Sequence, residues 1–339
     1  QARVLRRTIS NTKYSRTERK EAESNFYKAN SLNNIKKISP ETKQEFIFLG
    51  CPGNEKSFEE VAKTLTSAQK AWNDHDLDGL AQHYATGFVT KDGLDLNKIK
   101  RNLSTFWFEY TDASIKSFPS TVQVCGDTAT INLSELTTAI GQVENARVLP
   151  FPPKFWGWVQ GITTLKKIGE TWKITSENII YEQMWKYYGN EVEKLLLEGR
   201  LALTSPENII ENQNYIAQLE YTLPSNVRGY AILDKILLSE FSEGENVSNT
   251  SDSKTDSIKR PISSGNDETP RTLRRLFTSN DLGQDELVRA QIELFTSDRK
   301  LLGLVGLSKR VSPQTKAIRE EDGTLTMEKS FKEEALSKS

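Results

Sequence analysis

The sequence predicts an α+β fold: three N-terminal helices and then long antiparallel strands, followed by a further helix and a small β domain. Three observations predict it. Up to about residue 110, apolar residues recur at three- and four-residue steps, the period of amphipathic helices. From residue 120 the period changes to two, with Gly126-Asp127 and Gly169-Glu170 supplying hairpin turns. A second strand-rich region follows a helical stretch that ends near Pro206. Helices first and long strands after is an α+β order.

The first helix opens at Ser57-Phe-Glu-Glu, a capping-box spacing with Glu60 three residues on. Phe58, Val61, Leu65, Ala68 and Trp72 mark its apolar face. Asp76 is placed to cap a second helix through Leu77, Leu80, Ala81 and Tyr84. A break from Gly87 to Gly93 contains Phe88 and Val89. A third helix runs from about Leu96 to Tyr110, with Ile99, Leu103, Phe106 and Trp107 inward. Strands then read over 120–126 and 128–140, and, past the proline-broken loop 147–153, over 155–167 and 171–181. A helix from Met184 to about Leu203 carries Val192, Leu195, Leu196 and Leu197. Residues 211–238 and 287–311 read as strands. Ala217-Gln-Leu-Glu before Gly229 resembles Ala290-Gln-Ile-Glu before Gly303, which suggests two similar hairpins, each ending in a lysine, Lys235 and Lys309.

The expected organisation is therefore a polar, basic, mostly disordered segment over 1–55, a first domain over 56–183, a connecting helix over 184–205 and a small β domain over 206–315. A disordered insertion is expected at about 240–272 and a charged disordered tail over 316–339. Only 36% of the residues are hydrophobic, consistent with stretches that build no core. The first fifty residues hold eleven basic and five acidic side chains, but the whole chain balances 45 Lys and Arg against 46 Asp and Glu. That balance argues against nucleic-acid binding. No apolar run reaches the ~20 residues of a membrane-spanning helix. Two cysteines make neither a disulfide scaffold nor a four-ligand zinc site. Cys125 reads as a small strand residue. Cys51, after Phe46-Ile-Phe-Leu-Gly, has the look of a lipoprotein box with too short an apolar core. The compartment stays open, with the cytoplasm favoured and lipid attachment at Cys51 as the alternative.

Ala71-Trp-Asn-Asp-His-Asp-Leu-Asp-Gly-Leu-Ala-Gln-His-Tyr-Ala, Phe88-Val-Thr-Lys-Asp-Gly, Trp107 followed by Tyr110 to Asp112, and Trp172-Lys-Ile-Thr resemble, in order and spacing, the NTF2-like (SnoaL-like) superfamily over residues 57–183. The resemblance implies a cone, with helices closing one side of a bent sheet around an aromatic-lined cavity. Its candidate ligand-binding lining is Trp72, Tyr84, Phe88, Phe106, Trp107, Trp156 and Trp158. Trp156 and Trp158, two apart on a strand, form either a stacking wall in that cavity or a contact with the neighbouring domain. The superfamily also pairs through its open sheet face, so a homodimer and a face covered by the β domain both stay open.

Enzymes of this superfamily take a proton next to a carbonyl, or add water, with a buried carboxylate or a His–Asp pair. Such chemistry needs a base tuned by a dry pocket and a donor for the oxyanion. The candidates here are His83, Asp92 and Glu135 as base and Tyr84 as donor. Glu135 is the mid-strand acid, Asp92 stands in a turn, and His75-Asp76 reads as a helix-capping turn. Spacing alone joins no acid to a base. No nucleotide-binding glycine fingerprint, nucleophile elbow or metalloprotease motif occurs, and no cofactor or metal is expected. The leading reading is a non-catalytic module that binds a small apolar ligand or docks another protein. The alternative is an isomerase, cyclase or hydratase.

Overall fold

A computed structural model describes residues 46–49, 51, 53–118, 120–143, 150–238, 259–264, 269–314, 317–319 and 325–327. Of the stretches expected to be disordered, residues 1–45, 240–258 and 328–339 lie outside the described residues, whereas Phe46–Phe48, Ala317–Arg319 and Leu325–Met327 are strands.

Helix α1 spans Glu55–Asn73 behind Asn54, which makes no side-chain cap. The expected capping box at Ser57 is therefore unused, because the helix starts two residues earlier. Glu60 instead accepts from Lys167 Nζ at 2.9 Å and Trp172 Nε1 at 3.1 Å, tying the helix to the sheet. Asp76 does cap α2, Leu77–Ala81, accepting from the Gly79 amide at 2.9 Å. This helix is shorter than expected: Tyr84 already belongs to strand β2, Tyr84–Thr90. Asp95 caps α3, Leu96–Glu109, through the Lys98 amide at 2.8 Å. Leu103, Phe106 and Trp107 face inward as their spacing predicts, whereas Phe108 is 87% exposed.

Strands β1 (Phe46–Phe48), β3 (Asp112–Ser117), β4 (Ser120–Cys125), β5 (Thr128–Ile140), β6 (Pro153–Ile168) and β7 (Thr171–Tyr188) follow the alternating pattern. β7 runs through the first five residues expected to be helical. Helix α4 is only Asn190–Leu197, and Leu201–Thr204 is strand β8. Gly189 separates β7 from α4 at φ 96°, and a Cβ there would sit 2.3 Å from the Leu302 carbonyl oxygen. Beyond lie β9 (Asn208–Ile210), β10 (Asn214–Tyr221), β11 (Val227–Leu237), β12 (Arg260–Ser263), β13 (Arg271–Thr278), β14 (Glu286–Thr296), β15 (Leu301–Gln314), β16 (Ala317–Arg319) and β17 (Leu325–Met327). β12 and the start of β13 occupy the end of the stretch expected to be a disordered insertion.

One twelve-stranded sheet runs β1-β4-β5-β6-β7-β15-β14-β11-β12, with β2 beside β7, β3 beside β5 and β9 beside β15. Most pairs are antiparallel, but β1–β4, β2–β7 and β15–β9 are parallel. The sheet is continuous across the expected domain boundary through the β7–β15 ladder. β14 and β15 form the expected hairpin. β10 and β11 do not: β11 pairs with β14, while β10 joins the separate sheet β13-β10-β8. The sequence likeness between the two segments therefore reflects strand patterning rather than a shared hairpin.

The large sheet separates two packed sides. On the helix side, Val61 and Leu65 of α1 meet Val122, Ile131, Leu165 and Trp172, and Ala68 and Trp107 meet Tyr110 and Ala139. On the other side, Leu136, Trp156, Trp158 and Trp185 join α4 and the three-stranded sheet in one core. Each large apolar side chain so buried contributes roughly 1.5–3 kcal/mol.

Cys51 and Cys125 form a disulfide across 5.4 Å between their Cα atoms. The Leu49 and Cys51 amides donate to the Val122 and Val124 carbonyls at 2.9 and 3.0 Å, extending the β1–β4 pairing until the two cysteines stand side by side. The expectation of two unrelated cysteines is thereby corrected. Cys51 has no free thiol to carry a lipid.

Candidate functional site

Strand alternation decides which side chains reach the space between helices and sheet. On β5, Ile131 and Ala139 pack on the helix side, so Glu135, of the same parity, faces that side too. On β7, Trp172 and Ile174 face the helices, and a register shift opposite Thr164/Leu165 then inserts one residue. Glu177 consequently points back to the helix side. A second shift, opposite Gln160/Gly161, sends Tyr181, Trp185 and Tyr187 to the far core and keeps Glu182 and Lys186 on the helix side.

Glu135 and Glu177 thus share one interior with Tyr84. The Tyr84 hydroxyl donates to Glu177 Oε1 at 3.4 Å, and the Ser117 hydroxyl donates to Glu135 Oε1 at 2.8 Å. Neither carboxylate has a cationic partner among the described residues. Burial raises Glu135 to about 7, against the pull of the Ser117 hydrogen bond. Burial, helped by the charge of Glu135, raises Glu177 to about 7, against the pull of the Tyr84 hydroxyl. Burial and both glutamates push the Tyr84 phenol well above its ordinary value, so it stays a donor. Both glutamates are half-buried in the folded chain. The arrangement offers an acid, a base and a neutral hydroxyl donor together at neutral pH.

Of the base candidates named from sequence, Glu135 is in this group and His83 and Asp92 are not. Burial, then Lys173, lowers the His83 imidazole, and neither glutamate figures among its electrostatic neighbours. Asp92 accepts from Arg310 Nη1 at 3.1 Å, beside Glu182 at 3.1 Å and Asp285 at 2.7 Å from the same guanidinium. Burial raises its carboxyl and Arg310 opposes the rise. Asp92 is a structural ion-pair member bridging the β2–α3 turn to β15.

Among the aromatic candidates, Tyr84 packs edge-on to buried Phe88, with centroids 4.6 Å apart. Trp72 and Trp107 meet at 5.6 Å, Trp107 stacks on His75 at 4.9 Å, and Phe106 lies 5.1 Å from Phe155. These rings build the helix-side core. Trp156 and Trp158 lie on the other face of the sheet. Trp156 stacks on Trp185 at 4.4 Å and Trp158 meets Phe118 at 4.9 Å, so neither lines the helix-side space. Their positions settle the choice left open by their spacing in favour of the far core.

Among the described residues no group of three His, Cys, Asp or Glu is placed to hold a metal ion, and no helix is long and apolar enough to cross a membrane.

No protein-family model matches the chain, and no curated protein matches it. Solved structures similar to part of it include NTF2-like proteins. Bd1075 of Bdellovibrio bacteriovorus is 14% identical over 37% of this chain and 40% of its own, with a TM-score of 0.30. An NTF2-like protein of unknown function from Pseudomonas putida is 15% identical over 37% of this chain and 86% of its own, with a TM-score of 0.29. A hexachlorocyclohexane dehydrochlorinase, LinA type 2, is 10% identical over 37% of this chain and 85% of its own, with a TM-score of 0.31. The chain spans well under half the length of Bd1075. Likenesses of this size say nothing about activity.

Proposed function

We propose that residues 56–183 form a cone-shaped small-molecule site that moves a proton, with Glu135 and Glu177 as acid and base and Tyr84 as hydrogen-bond donor. The single observation that carries this reading is the pair of glutamates facing the same interior with hydroxyl partners and no cation. At neutral pH one carboxylate takes a proton from a carbon next to a carbonyl. The Tyr84 hydroxyl and the protonated second glutamate stabilise the resulting enolate oxygen, and the proton returns at a neighbouring carbon or leaves with a departing hydroxide as water. This is isomerase, cyclase or hydratase chemistry on an uncharged substrate. We prefer this reading to the non-catalytic module, which the sequence favoured because a second β domain and charged tails suit an interaction protein and because its acid–base set was sparse. The Cys51–Cys125 disulfide supports an oxidising compartment over the cytoplasm.

The test has two parts. Difference infrared titration of the full chain with Glu135→Gln and Glu177→Gln as references is expected to find both carboxyls protonating near neutrality. Transfer of deuterium from heavy water into cyclic β,γ-unsaturated ketones is expected to fall at least a hundredfold in either variant. Carboxyls that titrate in the ordinary glutamate range would overturn the proposal.

A further inference from the structure

A cavity of about 470 Å³ lies between α3 and strands β7, β14 and β15. It exists only because β7 pairs with β15: one wall belongs to the helix-bearing half of the chain and the other to the C-terminal strands. Leu103, Phe106, Phe155, Met184 and Leu287 make its surface mainly apolar. Its size is that of small-molecule pockets, roughly 300–1,000 Å³.

The charged groups around it are already paired. Lys186 bonds Glu109, Arg289 holds Asp234 through Nε at 2.9 Å and Nη2 at 2.7 Å, and Glu182 accepts from Arg310 at 3.1 Å. An ionic ligand would have to break one of these pairs or bury an uncompensated charge, either of which costs several kcal/mol. Two lining side chains remain open to a ligand: among the described residues, the Asn102 amide and the Ser308 hydroxyl have no side-chain hydrogen bond. The floor is bare at Gly306. An added Cβ there would meet nothing nearer than the Lys186 carbonyl oxygen at 3.8 Å, so the backbone does not require glycine and the missing side chain is space left to the cavity.

We infer that this cavity binds a neutral, ring-bearing small molecule, its rings against Phe106 and Phe155 and a polar substituent toward Ser308 and Asn102. The inference is independent of the acid–base reading.

The experiment uses N-phenyl-1-naphthylamine, an uncharged probe whose fluorescence rises in apolar surroundings, with the full chain. The wild type is expected to bind one probe per chain saturably. Gly306→Val, which fills the floor with a strand-compatible side chain, is expected to weaken binding at least tenfold with an unchanged circular dichroism spectrum. Ser308→Leu, filling the same floor from the next position on that face, serves if Gly306→Val does not fold. Glu177→Gln, which disarms the other site, is expected to keep the affinity within twofold. Absence of saturable binding, or unchanged affinity in a folded floor-filling variant, would overturn the inference. So would binding seen only after residues 328–339 are removed, since the chain's own end would then be the natural occupant.

Discussion

Tyr84 and Glu177 meet where the parallel pairing of β2 with β7 loses register: Tyr84 stands opposite Ile174, whereas Val89 stands opposite Ser176. The slip brings the phenol to the carboxylate, at 3.4 Å. This hydroxyl opposes the rise of the Glu177 carboxyl. Tyr84→Phe is therefore expected to push Glu177 above about 7, read from the carboxyl carbon shift of labelled glutamate during a pH titration. A downward movement would contradict the assigned contact.

Glu135 and Glu177 also make a stability prediction. Both carboxyls rise from 4.5 to about 7 on folding. Between those values the folded chain binds more protons than the unfolded chain, so their contribution falls as pH rises through this window and is flat above it. Glu135→Gln removes one such group. It is expected to match the wild type near pH 4 and to exceed it by about 1–2 kcal/mol at pH 8. Urea unfolding at both values checks this, and a variant less stable than the wild type at pH 8 would refute it.

Arg310 holds three carboxylates, Asp92, Glu182 and Asp285, with its own side chain 3% exposed. Removing the cation leaves buried negative charges facing one another. Arg310→Met is expected to cost about 3–5 kcal/mol. Arg310→Met combined with Asp92→Asn and Asp285→Asn is expected to recover part of the loss. A single-variant loss below about 1 kcal/mol would show the cluster to be already solvated.

The disulfide closes a loop between residues 74 apart in sequence. Chain-entropy arguments give such a link about 4 kcal/mol. Cys51→Ala with Cys125→Ala is expected to lower the melting temperature, and reductant is expected to lower that of the wild type alone. A wild type indifferent to reductant would mean that the loop is held by β1–β4 pairing without the link.

The first and third helices and strand β5 were legible because each carries one uninterrupted period. Leu96–Glu109 is found almost where its apolar spacing places it. Glu135 was legible as the mid-strand acid of that pattern, whereas Tyr84 was named through the family resemblance, as a helical residue, and stands instead on β2. Glu177 was not legible, because a register shift in β7 just before it reverses its parity and no residue announces the shift. Trp156 and Trp158 share a face by spacing, but which face depends on the partner layer. Met184 to Tyr188 read as helix because the leucines of α4 follow so closely, while the ladder to β15 that makes them strand involves residues more than a hundred positions away. The cysteine pair was hidden similarly, since a parallel β1–β4 contact across three intervening helices and two strands leaves no trace in local pattern.

The shared strand β7 has a practical consequence for dissecting the chain. A fragment ending at residue 189 would keep Glu135, Glu177 and Tyr84 but lose β15, leaving β7 with an unpaired row of amides and carbonyls. It would also bare Trp156, Trp158 and Trp185 on one flat face. Open edges beside exposed aromatic surface invite self-association. The excised half would therefore behave as an aggregation-prone remnant rather than as a portable module.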